Sequence, residues 1–475
     1  MDKKLLSSIF WAMTSQVGYV LIGLAGMIIL GRLLSPEDFG VVGIGMFFVG
    51  IFNVLIESGM GGALVRKENI REEDYSTIFI FNLIVSIVLG VLLVLISPFI
   101  ADFYDLEGLK LVLIVLSSIL LINAFTITQN ARLVREMKFK QRGLYKFISL
   151  LLAVLIAVYI AYIGGGYWAI IAMQVLSAFF LMVILWIKEG RLKTIVFSKE
   201  SFLEMSSFGL FTTLASLLNA IFDNVYQLIL GKYFSVSQVG FYYQAKKLQE
   251  APDTVYKLVI LQVFYSHLSK FQNTISLFKQ HYNTIAKLCA IVLSLTTCLI
   301  YLYADEIIYT VLGEKWLGSV FYLRVLIISG FFTLQEMVNR NIFKIFDQTH
   351  KILYLELLKK SIQIITIILG VYYQDIKLLL YGFIFTSVVS YFINFYYSRK
   401  IVDEVSKYEI INFIKIVVAS ILALLFTFFL IEIFELKRYF TLAVLPVFLV
   451  VNFVLLYLFG VQKTLSLFNF KTLFK

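Results

Sequence analysis

The chain is poor in charged residues for its length. Only 15% of its 475 residues are Asp, Glu, Lys or Arg, whereas 60% are hydrophobic, and the mean hydropathy is +0.89. A water-soluble globule of this size needs more polar surface than such a composition supplies. The scarcity of charge therefore excludes a soluble protein and predicts an integral membrane protein.

Cysteine and histidine are also scarce, with two and three residues respectively. Cys289 and Cys298 are nine residues apart in one apolar run, about 13 Å along a helix, which excludes a disulfide bond between them. His267, His281 and His350 are dispersed over predicted loops. The sequence therefore predicts neither a metal site nor a cofactor.

Long apolar runs fill most of the chain. Fourteen of them are of roughly spanning length, which predicts an all-α polytopic membrane protein. The first run follows Lys3 and Lys4 and lacks a short apolar core with a cleavage site, so it is expected to be a retained signal anchor. The runs lie near residues 8–30, 41–63, 77–101, 109–131, 144–163, 166–187, 207–230, 240–265, 283–303, 319–340, 352–373, 377–398, 411–433 and 438–460.

The distribution of Lys and Arg predicts the orientation. Most of them fall in segments that are internal if the N-terminus is cytoplasmic, so both termini are predicted to be cytoplasmic. The densest group, Arg132 to Lys146, lies between the fourth and fifth runs and is interpreted as a topology determinant that contacts anionic lipid headgroups. The net charge of +11 then requires no nucleic acid partner.

A short stretch occurs twice in the chain. Residues 29–40 read ILGRLLSPEDFG and residues 229–240 read ILGKYFSVSQVG, so the two match at an offset of 200. Each lies between two apolar runs, which is typical of the turn of a transmembrane hairpin. Six runs separate the copies, which predicts two parallel-repeat lobes of six helices and two extra C-terminal helices. The predicted domains are 1–200, 201–405 and 406–475, the last with a short cytoplasmic tail.

Three segments carry a resemblance to a known family. They are the repeated hairpin, the segment IESGMGGALVRK at residues 56–67, and the segment DNVYQLILGKYFSVSQVGFYYQAKKLQEAP at residues 223–252. They resemble the polysaccharide flippases of the multidrug/oligosaccharidyl-lipid/polysaccharide exporter superfamily. The resemblance implies a bacterial cytoplasmic-membrane protein that moves an undecaprenyl-diphosphate-linked oligosaccharide, a repeat unit of O-antigen, capsule or exopolysaccharide, from the inner to the outer leaflet by alternating access. Membrane lipids and glycan assembly proteins are the other partners to expect.

Charged residues recur on one face of the eighth run. Lys246, Glu250, Asp253 and Lys257 are spaced by four, three and four residues, so a helix places them on one side. Such a face is unsuited to lipid and favours a transport path, although pairing into an ion ladder explains the same spacing. Pro252 lies within this stretch and is predicted to kink or break the helix.

A diphosphate head group is costly to bring into hydrocarbon, so a flippase needs a cationic path. Deeply placed cations are identified only in the second predicted lobe, which is therefore predicted to bind the head group. Because Glu356 can neutralise Lys360 at i, i+4, Lys359 is expected to be the freer cation. The predicted substrate-binding residues are Lys246, Lys247, Arg324, Lys359 and Lys360.

Carboxylates and glycines complete the candidate site. Asp223 is expected to pair with Lys246 across the second hairpin, and Glu57 is either an ion-coupling carboxylate or a side chain that reaches the inner interface. The coupling ion, H⁺ or Na⁺, is left open. The candidates for ion coupling or structure are Glu57, Asp223, Glu250 and Asp253. The candidate hinge and turn residues are Gly31, Gly40, Gly231, Gly240 and Pro252.

Three alternative functions are weighed against this one. Lipid II flippases of the same superfamily are similar but carry arginines within their first helices, whereas this chain has no cation between Met13 and Leu30. A multidrug exporter would favour a cavity rich in carboxylates, and the predicted cavity is cationic. A membrane glycan polymerase or ligase needs catalytic groups on a sizeable external loop, and residues 304–318 form too short a loop for that. The sequence therefore predicts a transporter rather than an enzyme.

Overall fold

The computed structural model describes residues 3–57, 60–67, 69–190, 194–402, 406–434 and 444–461. These residues form seventeen α-helices, a π-helical turn and a short 3₁₀ turn, and the described part of the chain contains no β-strand. The predicted all-helical class is confirmed. The helices are α1 (Lys3–Leu33), α2 (Pro36–Glu57), α3 (Met60–Arg66), α4 (Glu72–Tyr104), α5 (Glu107–Arg135), α6 (Phe139–Tyr162), α7 (Trp168–Lys188), α8 (Lys199–Tyr233), α9 (Val236–Leu258), α10 (Tyr265–Ser269), α11 (Ile275–Leu302), α12 (Ala304–Val311), α13 (Ser319–Ile345), α14 (Thr349–Tyr372), α15 (Ile376–Arg399), α16 (Ser406–Ile433) and α17 (Leu445–Leu458).

Within the described residues, the predicted apolar runs coincide with one helix or with consecutive helices, while residues 58–59 of the second run and 438–443 of the last run lie outside the described residues. Ten of the described helices are long and apolar enough to cross a membrane. Helices α8, α9 and α14 are outside that set, as is α17, which has only 14 residues. The multi-pass architecture is therefore confirmed, while the count of fourteen stays a prediction. The predicted cytoplasmic tail, from residue 462 onward, lies outside the described residues.

Contacts divide the chain into two compact units, Met1–Ala251 and Pro252–Lys475. In the first unit α1 packs on α6, α6 on α7, α4 on α5, and α2 on both α5 and α8. In the second unit α15 packs on α13 and α14, and α11 packs on α13 and α16. The predicted boundaries at residues 200 and 405 follow the sequence repeat rather than compactness, and they stay a prediction.

The two copies of the repeated stretch fold into equivalent turns. Helix α1 ends at Leu33 and α2 begins at Pro36, while α8 ends at Tyr233 and α9 begins at Val236, an offset of 200 at both positions. A serine precedes each second helix, and its Oγ accepts a hydrogen bond from the backbone N–H three residues later, at 3.2 Å in the first copy and 3.3 Å in the second. Serine at this position satisfies an N–H that the helix leaves unpaired. The predicted hairpins are confirmed, and local capping explains where they turn.

The four glycines predicted as turn residues lie inside helices. Gly31 and Gly231 belong to the last turn of α1 and α8, whereas Gly40 and Gly240 belong to the second turn of α2 and α9. None of them has a positive φ. Their lack of a side chain therefore serves close packing rather than an unusual backbone conformation.

Gly40 and Gly240 lie in a reciprocal contact between the starts of α2 and α9. A Cβ atom on Gly40 would overlap the carbonyl oxygen of Val236, and a Cβ atom on Gly240 would overlap the carbonyl oxygen of Pro36. Because Pro36 and Val236 are themselves repeat equivalents, each copy makes the same contact with the other, as in a two-fold interface. This reciprocity is expected of a true repeat, although superposition of the whole lobes stays a prediction.

We expect Gly40→Ala to destabilise the protein, whereas Gly50→Ala in the same helix should not. The new methyl group at position 40 meets a backbone oxygen that cannot move aside, while a Cβ atom at Gly50 has no neighbour within 4 Å. Overpacking of this kind costs about 1–3 kcal/mol. Size-exclusion chromatography of heated, detergent-solubilised protein compares the two variants. Equal thermal stability would show that the glycine contact is not tight.

Pro252 lies in the interior of α9. The helix continues to Leu258 and is followed directly by a π-helical turn, Val259–Phe264, and by α10. The helix is thus not broken at Pro252, although the boundary between the two compact units falls immediately before this residue. Asp253, a predicted ion-coupling residue, is 6% exposed. A hinge at Pro252 stays a prediction.

Single-cysteine labelling tests the predicted orientation. The side chains of Asp105 and Lys138 are 89% and 42% exposed, whereas the native Cys289 and Cys298 are buried. The positive-inside rule places residue 105 outside and residue 138 inside. We therefore expect an impermeant maleimide added to spheroplasts to label Asp105→Cys but not Lys138→Cys. Labelling of position 138 from outside would contradict the orientation.

Candidate substrate cavity

The first unit contains a cavity of about 510 Å³. Its wall is built from six helices, namely α2, α3, α5, α6, α7 and α8. Polar and apolar side chains alternate around it, which suits an amphipathic or glycan-bearing ligand better than a purely apolar one. The lining residues are Val54, Glu57, Gly61, Gly62, Val65, Asn123, Thr126, Ile127, Asn130, Ala131, Val134, Arg142, Lys146, Leu181, Thr213 and Ser216.

Two cations from α6 reach this cavity. Arg142 and Lys146 are four residues apart in the first two turns of the helix, so they lie on one face. The Arg142 guanidinium donates from Nε to Oδ1 of Asn130 at 3.4 Å. The Lys146 ammonium lies 5.9 Å from the ring centre of Tyr19. Within the described part of the chain, the ammonium of Lys146 forms no hydrogen bond and no ion pair.

A single carboxylate faces the two cations. Glu57 ends α2 and lies within electrostatic reach of both Arg142 and Lys146. No ion pair shorter than 4.0 Å joins it to either cation among the residues that the structure describes. Nearby, Nδ2 of Asn123 donates to Oδ1 of Asn53 at 2.9 Å. The cavity therefore combines a net positive charge with amides and hydroxyls, and both cations remain able to bind an anion.

An arginine from α5 anchors the short helix α3 beside the cavity. Nη1 of Arg135 donates to the carbonyl oxygens of Leu64 and Val65 at 3.2 and 3.3 Å, and also to that of Lys67. These carbonyls end α3 and would otherwise lack partners. Because α3 is held in this way, its Gly61 can form part of the cavity wall.

An ion network continues from the end of α3. Nζ of Lys67 lies 3.1 Å from Asp74 on α4 and 2.8 Å from Glu204 on α8. Burial alone would lower the pKa of Lys67, but the hydrogen bonds and negative charges of Glu204 and Asp74 outweigh it, so the pKa is raised. Lys67 thus stays charged and ties the end of α3 to α4 and α8.

The basic group between the fourth and fifth apolar runs was interpreted as a loop that contacts lipid headgroups. The structure instead places several of its side chains in contacts within the protein. Arg132 pairs with Glu72 at 3.0 Å, and Lys140 lies 4.4 Å from the ring centre of Trp11. Since α6 begins at Phe139, its first turns carry residues that were assigned to the loop. Several of these cations therefore serve intramolecular contacts, and two of them line the cavity.

The predicted cations of α9 lie in the first unit but outside the cavity wall. Nζ of Lys246 donates to the backbone oxygen of Asp223 at 2.7 Å and to Oδ1 of Asn224 at 2.9 Å, so Lys246 contacts α8 across the hairpin, while its pairing with the Asp223 carboxylate stays a prediction. Lys247, a predicted substrate-binding residue, pairs with Glu250 at 2.8 Å. Both ammonium groups are thus engaged.

Arg324 is the first of the predicted cations in the second unit. It lies on α13, pairs with Asp305 of α12 at 2.5 Å, and donates from Nε to the carbonyl oxygen of Tyr301 at 3.2 Å. The guanidinium also stacks over the Tyr301 ring, 5.3 Å from its centre. These contacts fix the connection between α11 and α13 and compensate the charge of Arg324.

Lys359 is more strongly compensated than the sequence suggested. Lys359 is only 4% exposed, and its ammonium lies 2.8 Å from Glu336 and 2.7 Å from Glu356. Lys360 instead donates to Oε1 of Gln363 at 3.4 Å. The expectation that Lys359 is the freer cation is wrong, because Glu356 reaches it at i, i+3 and Glu336 approaches from α13. A lysine between two carboxylates offers little net attraction to a phosphate.

None of the five predicted substrate-binding residues lines the cavity of the first unit. The two cations that do line it were missed. Arg142 fell before the predicted start of the run at residue 144, whereas α6 begins at residue 139, and Lys146 was grouped with the basic loop although it lies inside that run. Their four-residue spacing at the start of an apolar run was the signal available in the sequence. Of the predicted carboxylates, Glu57 alone belongs to the wall.

The multi-pass helical fold and the polar cavity define a membrane transport protein. A family model for polysaccharide biosynthesis proteins matches residues 29–321, well over half of the chain, and the chain belongs to this family. The family identified from the repeated hairpin and its neighbouring segments is therefore confirmed.

Relatives and a solved structure agree with this assignment. The teichuronic acid biosynthesis protein TuaB of Bacillus subtilis (strain 168) is 22% identical over 341 residues, covering 71% of this chain and 70% of that protein. The succinoglycan biosynthesis transport protein ExoT of Rhizobium meliloti (strain 1021) is 24% identical over 263 residues, covering 55% and 53%. The lipid II flippase MurJ in an inward closed conformation superposes with a TM-score of 0.75 at 15% identity, covering 96% of this chain and 99% of that one. At such low identity the last likeness concerns the fold.

Proposed function

We propose that the protein is a flippase for an undecaprenyl-diphosphate-linked oligosaccharide and that the head group binds in the cavity of the first unit. The observation that carries this proposal is the pair of cations on α6, Arg142 and Lys146, in a polar cavity of about 510 Å³. The names of TuaB and ExoT refer to the biosynthesis of polysaccharides. A lipid-linked repeat unit is the form in which such a glycan can be carried by a membrane.

The geometry suits a diphosphate next to a sugar. Moving phosphate charge into a low-dielectric region is costly unless cations and hydrogen bonds replace its water. Arg142 can bind two phosphate oxygens through its planar guanidinium, and Lys146 supplies a point charge. Asn123, Asn130 and Thr126 offer donors and acceptors for sugar hydroxyls along the same wall. The isoprenoid tail would stay in the bilayer while the head group crosses.

A multidrug exporter is the less favoured reading of the same cavity. Its cationic substrates require an excess of carboxylates, whereas the described wall holds two cations and one carboxylate, Glu57. The wall would therefore repel a cationic substrate rather than attract it. An anionic substrate fits this balance of charge.

The substrate can be identified in a deletion strain. We expect a lipid-linked oligosaccharide with a diphosphate linkage to accumulate on the cytoplasmic leaflet and surface glycan to be lost, with both effects reversed by the plasmid-borne gene. Mass spectrometry of extracted lipids, with and without prior treatment of intact spheroplasts by a glycosidase, measures amount and leaflet. Accumulation on the outer leaflet would point to a polymerase or ligase, and absence of any lipid-linked intermediate would contradict the flippase.

A further inference from the structure

Four helices of the second unit meet at a buried polar cluster. Tyr282 of α11, Asn339 of α13, Tyr391 of α15 and Glu409 of α16 are each less than 10% exposed, with Glu409 at 7%. Among the described residues, no Lys, Arg or His lies within ion-pair distance of the Glu409 carboxyl group. A buried carboxyl group without a cation is rare, because desolvation strongly disfavours its charge.

Counting the hydrogens available for hydrogen bonds indicates which protonation state of Glu409 fits this cluster. The phenol oxygen of Tyr282 lies 3.2 Å from Oε1 of Glu409 and is also hydrogen-bonded to Oδ1 of Asn339. The phenol has one hydrogen for two acceptors. A proton on Glu409 supplies the second hydrogen, so that Glu409 donates to Tyr282 and Tyr282 donates to Asn339. Exchanging the oxygen and nitrogen positions of the Asn339 amide would also satisfy these two hydrogen bonds. The Glu409 carboxylate would then be a buried charge that faces neutral donors.

A second carboxylate nearby shows the contrast. Glu336 lies one turn before Asn339 on α13, and its oxygen is bonded to the ammonium of Lys359 at 2.8 Å and to the amide of Asn394. Glu336 is therefore compensated as an anion. The same layer of helices thus holds one carboxylate that is built to stay charged and one carboxyl group that is not.

Among the described residues, the other groups around Glu409 supply no positive charge. Tyr282 is hydrogen-bonded to Glu409 and Tyr391 lies within its electrostatic reach, and in this described part of the chain the Tyr391 hydroxyl is buried with no hydrogen-bond partner. Lys415, further along α16, donates instead to the carbonyl oxygen of Phe459 at 2.9 Å. Phe413, one turn after Glu409, stacks on Tyr391 with ring centres 4.4 Å apart and shields the cluster.

We propose that Glu409 is a proton-binding site of the transporter. It carries a proton while α11, α13, α15 and α16 are packed together, and it releases that proton when movement of these helices admits water. The coupling of this exchange to transport rests on the proposed function, whereas the protonation itself does not. The proposal makes H⁺ the coupling ion.

Infrared difference spectroscopy of the full-length protein in nanodiscs tests the protonation. At neutral pH we expect the wild-type spectrum to contain the carbonyl band of a protonated carboxyl group. The band should be absent from the spectrum of Glu409→Gln. It should remain in the spectrum of Glu336→Gln, because Glu336 is an anion. Glutamine preserves the size of the side chain and its neutrality. If Glu409→Gln cannot be purified, Tyr282→Phe should shift the frequency of the band by removing its hydrogen-bond partner. A wild-type spectrum without this band, or a band that neither variant changes, would overturn the proposal.

Complementation tests the coupling separately. Glu409→Gln cannot exchange a proton, so we expect surface glycan to fall at least tenfold at wild-type membrane levels of the protein. Wild-type export by Glu409→Gln would overturn the coupling role. The infrared result does not depend on the substrate, so failure of the flippase assignment and failure of the proton site are distinguishable.

Discussion

The double variant Arg142→Ala/Lys146→Ala should lose nearly all transport while remaining in the membrane. In the proposed complex each side chain would supply a charge-assisted hydrogen bond to phosphate, worth about 1.5–3 kcal/mol, so each single substitution should lower transport about 10- to 100-fold. Both side chains face a cavity rather than a packed core. Folding should therefore tolerate their removal.

Complementation of the deletion strain measures this effect, with surface glycan quantified against the membrane level of each variant. Lys140→Ala is the matched control, since Lys140 lies on the same helix, contacts the Trp11 ring and does not line the cavity. Lys146→Arg should retain part of the activity, because a diphosphate accepts either a point charge or a fork. Wild-type export by the double variant would rule out α6 as the head-group site.

The substitution Lys359→Ala should destabilise the protein rather than selectively impair transport. Removing this ammonium leaves Glu336 without a cation among the described residues, whereas Glu356 keeps its ion pair with Arg340 at 3.4 Å, and Glu336 is only 6% exposed. Breaking a buried ion pair by removing one partner costs about 3–5 kcal/mol. The expected result is a lower membrane level and a lower unfolding temperature of the purified protein.

Lys360→Ala is the control for this prediction, because Lys360 is the adjacent lysine on the same helix and its ammonium donates to Gln363. Combining Lys359→Ala with Glu336→Gln should recover part of the lost stability, since one uncompensated charge disappears. If Lys359→Ala were as stable as Lys360→Ala and defective in export, Lys359 would again be a candidate for phosphate binding.

Features set by local chemistry were predictable from the sequence. The hairpin turns follow from apolar runs interrupted by Ser35 and Ser235, because a serine cap acts on the next turn of its own helix. The fourteen apolar runs likewise locate helices, since length and hydropathy are properties of a single segment. Contact of Lys246 with Asp223 required only the geometry of one hairpin.

Features set by tertiary packing were not predictable. The compensation of Lys359 depends partly on Glu336, which is 23 residues away on another helix. The environment of the Glu409 side chain depends on three other helices that pack around it. The cavity cations on α6 were within reach of sequence analysis, but Arg142 fell before the predicted start of its run and Lys146 was grouped with the basic loop. Helix ends are harder to place from sequence than the helices themselves.

The distribution of compensated and uncompensated charge changes where the head group is expected to bind. In the second unit Arg324 and Lys359 have carboxylate partners, so their charge serves the structure of that unit. In the first unit Lys146 faces the cavity without an ion pair among the described residues. An anionic ligand gains most from a cation whose charge is not already balanced. The structure therefore favours the first unit over the second lobe that the sequence indicated.

Photocrosslinking tests the head-group site most directly. A benzophenone amino acid replaces Ile127, which lines the cavity, or Leu121, which lies on the same helix and is 40% exposed on its surface. After irradiation of cells with metabolically labelled glycan, we expect labelled lipid-linked oligosaccharide to be attached to the protein at position 127 and not at position 121. Attachment at neither position, or at position 121 alone, would contradict binding of the head group in the cavity of the first unit.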